Sequence, residues 1–524
     1  MIARQIHVIN LRFLHPIMAL VLIGALAGCA SVPVPLDAPK TASYAFNDTA
    51  DTNLGQAVTR AAATRPGRSG FYLLSDGVEA LAARLLLSER AERSIDAQYF
   101  LLHNDITGQL FVAALLRAAD RGVRVRLLLD DIDTAQYDAG MTALDAHPNI
   151  EIRLFNPFSR GKSQLMSFFT EFGRVNRRMH NKSMTFDNQA TIVGGRNIGA
   201  IYFSAEEDSN YNDLDVLGFG PVAGKVSAAF DEYWNSSVVV PVSTLLGQDA
   251  TSEGLDELRA RIPEIIEAAK QTPYGGALSS AILEVIAKDE TILTWSQAIV
   301  VADPPEKAAE TYDGQHPEQL SSVMGPVVRA AEKELVVISP YFVPRESGVE
   351  LFRELTERGV RVVILTNSLA STDMVPVHAH YARYRKALLE AGVELWEVRA
   401  EEAHVGRQIR GLGYSRSSLH GKVFAIDRRY IFIGSFNWDP RSVDINTEMG
   451  IYLDAPSMTG PALERFERAL PTSAYRLRLT EAGDIEWIAQ ENGQEVTYQD
   501  EPGVSFSRRL NSDLWLLVPI EDQL

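Results

Sequence analysis

A single cysteine, Cys29, stands in 524 residues, so no internal disulfide and no cysteine-rich metal cluster can staple this chain. Long apolar runs are missing too. The run Ile17 to Leu26 holds about ten residues, half of the roughly 20 that a membrane-spanning helix needs. Positive charge is short: 50 Lys and Arg face 68 Asp and Glu, a net charge of −18. A polyanion is repelled by that field, which excludes a general nucleic-acid binder. An anionic substrate has to be drawn in by cations local to a cleft. What the chain does have is apolar material, 46% of its residues, enough for two substantial cores.

The stretch that promises chemistry is His420-Gly-Lys422 running to Asp427, with Gly434-Ser435-Phe-Asn437 beginning seven residues after the aspartate. His420 and Lys422 are two apart, and a strand sends alternate side chains to one face. Arg428-Arg429 makes a turn, and Tyr430 to Ile433 reads as the returning strand. A neutral imidazole is a nucleophile or general base, an ammonium and an amide hold phosphate oxygens, and glycine lets an anion approach the backbone. That set suits phosphoryl transfer.

The chain carries the set twice. His180-Asn-Lys182 runs to Asp187, and Gly194-Gly195-Arg-Asn197 follows at the same offset. Flanking text repeats as well. Arg93 to Phe100 leads into a helical stretch ending at Gly122 and a Val/Leu strand, while Glu334 to Phe342 leads into another ending at Gly359 and a second such strand. Each reads as a βαβ unit with a right-handed crossover. The fold class is therefore α/β, with two pseudo-equivalent lobes, each a mixed β-sheet flanked by helices.

HxKxxxxD followed by GG or GS-x-N, present twice, resembles the phospholipase D superfamily, and the surrounding sequence from about Ser69 onward is similar to its bacterial cardiolipin synthases of the C type. That resemblance implies a single active site at the lobe interface, built from His180, Lys182, Asp187, His420, Lys422 and Asp427. It implies one histidine as nucleophile and the other as general acid and base, assigned as His180 and His420 with the reverse left open. Lys182, Lys422, Asn197 and Asn437 hold the non-bridging oxygens, with Gly195 and Ser435 in the phosphate pocket, which is asymmetric because Gly195 has no hydroxyl. Asp215 and Glu448 are the acids that orient the histidines across the lobes, Glu448 on His180 and Asp215 on His420. Asp187 and Asp427 read as structural caps of the hairpin turns. No metal or organic cofactor is called for.

Residues 1–28 resemble a lipoprotein signal peptide, with Arg4, Arg12, the apolar run and Leu26-Ala-Gly-Cys29. Lipidated Cys29 anchors the mature chain, and Ala30 after it favours the outer membrane, facing the periplasm. Removing 1–28 leaves 48 basic against 68 acidic residues, or −20. Residues 29–68, rich in Pro, Ala, Thr and Asp, read as a tether. The first lobe spans 69–240, an inter-lobe connection 241–316, the second lobe 317–470 and a C-terminal extension 471–524. The extension is either packed or a second membrane contact.

Three further features carry two readings each. Asp130-Asp131-Ile-Asp133 caps a loop or holds a metal. His378 and His380 serve structure or substrate contact, or ligate zinc. The segment from Phe155 to Met179, which interleaves Arg160, Lys162, Arg174, Arg177 and Arg178 with Phe168, Phe169 and Phe172, packs as a helix or meets lipid headgroups. The expected reaction makes cardiolipin from phosphatidylglycerol and a second phospholipid, with phosphatidylethanolamine as a further candidate, through a phosphatidyl-histidine intermediate. Hydrolysis to phosphatidic acid is the alternative. A nuclease of the same superfamily and a non-catalytic lipid-binding protein are the rivals; nucleic acid is not an expected partner.

Overall fold

A computed structural model describes residues 34–524 except 161–163, 204–209, 247–251, 279, 281, 310–311, 313–318, 401–416 and 492. Cys29, the signal segment and Lys162 lie outside the described residues. No helix among those described is long and apolar enough to cross a membrane.

Two large sheets carry the molecule. The first runs Thr294–Ser296, Ser69–Leu74, Asp215–Phe219, Ala190–Gly194, Ser183–Phe186, Ser94–Tyr99, Arg124–Asp130, Ile150–Phe155, Val239–Pro241. The second runs Ala298–Ala302, Met449–Asp454, Tyr430–Gly434, Lys422–Ile426, Glu334–Ile338, Arg361–Asn367, Glu394–Val398, Ala474–Leu479, Ile485–Glu491, Gln494–Tyr498. In each, three strands are parallel and the motif hairpin is antiparallel to the first of them: Ser183 pairs with Gln98, and Val423 with Ile338. The mixed sheets and duplicated lobes agree with the sequence expectation.

Local sequence explains the crossovers. Asp105 caps helix Ile106–Asp120 by accepting from the Thr107 and Gly108 amides. The helix stops where Gly122 takes φ +95°, letting the Val123 amide reach back to the Ala118 carbonyl at 3.1 Å. Helix Arg345–Glu357 ends the same way at Gly359, φ +84°, with Val360 bonded to Leu355. Each helix is thus turned back directly into its Val/Leu strand.

Each lobe has its own core, and a third cluster joins them: Phe71, Val193 and Val216 from the first sheet pack with Val423, Ile433, Met449 and Ile451 from the second. Trimming a buried Ile433 to alanine there would cost about 2–5 kcal/mol. The connecting stretch also belongs to both lobes, since Thr294–Ser296 edges one sheet and Ala298–Ala302 the other. The C-terminal extension adds three strands to the second sheet, and Leu524 joins that lobe's core.

The tether reading needs correction over its described part. From Lys40 the chain is strapped onto the first lobe rather than hanging from it. Buried Arg153 and Arg126 donate to the carbonyls of Thr41, 2.6 Å, and Ser43, 2.8 Å, and Arg124 stacks on Phe46. Helix Asn53–Ala62 follows, capped by Thr52. The physical reason is that two buried guanidiniums need acceptors, and the Pro/Thr-rich strand supplies backbone carbonyls.

Candidate active site

The two histidines stand just ahead of strands Ser183–Phe186 and Lys422–Ile426, at the end of each sheet where the parallel strands finish. Each is clipped to the other lobe. The His180 amide donates to the Thr447 carbonyl at 2.8 Å, and His180 Nδ1 lies 2.8 Å from Glu448 Oε2. Symmetrically, the His420 amide donates to the Asn212 carbonyl at 2.9 Å, and His420 Nδ1 lies 2.6 Å from Asp213 Oδ2. A short parallel pairing of Ser417–Leu419 with Asn210–Asn212 holds that second clip in register.

Asp213, not Asp215, therefore faces His420. The strand register shows why: Gly194 pairs with Asp215 as Gly434 pairs with Gly450, so the counterpart of Glu448 is the residue two before Asp215. Asp215 lies wholly buried behind the strand, where it binds Arg84 at 2.9 Å and Arg196 at 3.3 Å. Those guanidiniums hold it in a structural place.

Both lysines are buried and reach back to their own histidine, Lys182 Nζ donating to the His180 carbonyl and Lys422 Nζ to the His420 carbonyl. The Phe100 ring meets His180 edge-on at 5.1 Å and takes the Lys182 ammonium on its face, while Tyr202 meets His420 at 5.2 Å. Asn197 Oδ1 accepts from the Leu101 amide at 3.3 Å, and its side chain also bonds Tyr202. Asn437 Oδ1 is buried with no protein partner among the described residues.

Ser435 is turned toward Glu448. Its hydroxyl donates to Glu448 Oε2 at 2.5 Å and accepts from the Met449 amide, while its carbonyl lies 3.1 Å from His180 Nδ1. At the matching position a Cβ on Gly195 would fall 2.2 Å from Asp213 Oδ1. The asymmetry lies in how each acid is supported: the longer Glu448 is held by serine, the shorter Asp213 by closely approaching backbone. Asp187 and Asp427 sit at the far ends of the motif strands and stand outside the reacting group. Asp187 accepts from the amides of Glu92, Arg93 and Ser94, and Asp427 from those of Glu332, Lys333 and Glu334. Each, at positive φ, ties its hairpin to the start of the neighbouring strand.

Electrostatics separates the halves. Burial, with Lys182 and Lys422 nearby, holds His180 well below the usual imidazole range. Burial and Lys422 push His420 down to about 4 against the opposing pull of Asp213. Burial lifts Glu448 to about 7, although Lys182 and two serines oppose it, whereas the charges of His420 and Lys422 overcome the burial of Asp213 and hold it below the carboxylate range. Burial lowers Lys422 to about 8 and Lys182 well below the ordinary lysine value.

Two supports escaped the sequence reading. Asp303 bridges the Glu448 amide, 3.0 Å, the Leu320 amide and buried Lys307, so the Ala302 to Lys307 stretch braces the acid that meets His180. Asp130 accepts from Arg178 and from the Met179 amide immediately before His180. With Asp131 bonded to Arg160 and the Phe158 amide, the acidic cluster is occupied by arginines and caps. His378, Glu397 and Glu501 converge, but the Arg385 guanidinium stands among them, within 2.8 Å of His378 Nε2 and bonded to both glutamates. His380 faces Glu521 at 3.4 Å.

The profile of the family described as cardiolipin synthase, PLD-like domain, matches residues 87–234 and 327–470. The chain belongs to this family. Membership makes it an enzyme, a phosphatidyltransferase of the phospholipase D superfamily. It is 39% identical to cardiolipin synthase C of Escherichia coli K12 over 475 residues, covering 89% of this chain and 99% of that one. Cardiolipin synthase B of Salmonella typhi is 23% identical over 383 residues, 73% and 76% of the two chains. Among solved structures, phosphatidylserine synthase of Haemophilus influenzae Rd KW20 aligns over 80% of this chain and 92% of its own, with a TM-score of 0.52 at 15% identity, a likeness of fold.

Proposed function

We propose that this family member joins phosphatidylglycerol and a second phospholipid into cardiolipin through a covalent phosphatidyl-histidine. The observation that carries the reading is the reciprocal pairing of each histidine's Nδ1 with a carboxyl group of the opposite lobe, which directs both Nε2 atoms to chemistry. Neutral His180 attacks phosphorus through Nε2, and the P–O bond to the leaving alcohol breaks. His420 gives that oxygen its proton. It then takes a proton from the acceptor hydroxyl as the acceptor oxygen displaces His180 and the P–N bond breaks. Asp213 supports the proton on His420. The incoming phosphodiester anion counters Lys422 and Lys182, the cations that hold the His420 pKa down, so substrate binding promotes its protonation. Lys182 and Lys422 stabilise charge on the non-bridging oxygens. Asn197 and Asn437 assist them.

The N-terminal sequence supports attachment through Cys29 to the periplasmic face of the outer membrane. An anchored enzyme meets lipid alcohols at high effective concentration, which favours transfer over hydrolysis. The test is mass spectrometry of products after incubation with phosphatidylglycerol, with and without phosphatidylethanolamine. Cardiolipin that vanishes in His180→Ala and His420→Ala is expected; phosphatidic acid alone would replace transfer by hydrolysis.

A further inference from the structure

Thirteen large apolar side chains are strongly exposed among the described residues, and eleven of them fall at 165–172, at Met374 and at 506–518. Such clustering is unlike the scattered exposure of an ordinary surface. Helix Gln164–Thr170 buries Ser167 and turns Leu165 and Phe169 outward, Phe169 being 79% exposed. Helix Phe506–Trp515 buries Ser512, and Phe506, Leu510, Leu514 and the following Leu517 form one stripe at i, i+4, i+8 and i+11, with Phe506 83% exposed.

The two helices come from opposite lobes, each standing at the end of its sheet where the parallel strands finish. The first follows the carboxyl end of strand Ile150–Phe155 and leads into His180. The second packs on helix Val375–Ala382, and Arg508 donates to the carbonyls of Leu369 and Thr372 in the loop after strand Arg361–Asn367. Asn367 in turn holds both the amide and the carbonyl of Leu419, next to His420. Asn176, just past the first helix, accepts from Arg441 and donates to Gln523, so the C-terminus ties the two sides together. Arg177 beside it donates to the Lys307 and Asp444 carbonyls, a cation in an acidic chain.

We infer that these two helices form a bilayer-docking surface, inserting their apolar stripes among phospholipids so that the histidine pair opens onto the membrane. An occupant must satisfy two apolar ridges from opposite lobes at once, with Arg177 following the first of them in the chain. An anionic lipid surface offers that without shape complementarity. The inference rests on the phospholipid reading only for the choice of surface.

The test uses the full chain with Cys29→Ser, so that no lipid anchor forms, carrying Phe169→Cys or Leu514→Cys labelled with bimane. On phosphatidylglycerol/phosphatidylethanolamine vesicles, brominated lipid is expected to quench both labels. Phe169→Asp with Leu514→Asp is expected to cut turnover of vesicular lipid at least tenfold, while turnover of a monomeric short-chain phosphatidylglycerol stays within twofold. Labels that ignore brominated lipid, or that respond only as light scattering reports a dimer, overturn the inference. Absence of all phospholipid turnover in the unlabelled chain would sink the functional reading, and quenching would still decide the docking.

Discussion

Replacing Asp213 or Asp215 with asparagine separates a positioning acid from a structural one. Asp213→Asn keeps the shape and the bond from the Leu214 amide, 2.8 Å, so the fold should lose only about 1 kcal/mol. His420 loses the carboxylate that supports its proton, and turnover should fall roughly 100- to 10,000-fold. Asp215→Asn acts elsewhere. It leaves Arg84 and Arg196, each about 2% exposed, without their buried counter-charge, at a cost of about 3 kcal/mol or more. Arg196 keeps acceptors at Leu74, Tyr202 and Ser75, so unfolding need not be complete. The assays are urea unfolding and phosphatidylglycerol turnover on folded protein at one pH. A stable, inactive Asp215→Asn beside an active Asp213→Asn would refute the strand register on which this rests.

Glu448, lifted to about 7 from 4.5, contributes stability that is complete below pH 4.5 and lost as pH rises through about 7. Glu448→Gln should therefore gain up to about 3 kcal/mol on the natural chain between pH 5 and pH 8 in urea unfolding, while losing activity; a pH-independent difference contradicts this. Lys422, lowered to about 8, works as the ammonium, so kcat/KM should drop about tenfold per pH unit above 8. A profile flat to pH 10 would remove it as a phosphate holder. Truncation through Phe46 strips acceptors from Arg126 and Arg153, each worth about 1–3 kcal/mol. It should melt several degrees below truncation through Pro39, and equal melting temperatures would show that the strap adds nothing.

The parts of the site readable from sequence are those fixed by short offsets. His180 and Lys182, His420 and Lys422, and the glycines after each hairpin repeat because two strands and a tight turn leave no slack. Glu448 was legible for the same reason. Asp215 misled because the first lobe carries 21 steps from Gly194 to its paired residue where the second carries 16 from Gly434, and two acids at i and i+2 offer the same chemistry on either side of a strand end. The contact of His420 with Asp213 and the buried partners of Asp215 distinguish them, and His420 and Arg84 lie far from both acids in the chain. Asp303 was visible as a residue but not as a brace, since Glu448, the residue it braces, lies 145 positions away. The docked strap around Ser43 was hidden because composition reports what a segment is made of, not which guanidiniums lack acceptors.

The cross-clipping of the two lobes limits how this molecule can operate. Thr447 and Asn212 hold the opposing histidines by their backbone, and a shared apolar core stands behind them. A hinge between the lobes would tear the very contacts that set each histidine against its acid. Reaction cycles cannot begin with an opening of the dimer-like halves, and isolated halves would each present a histidine without its acid.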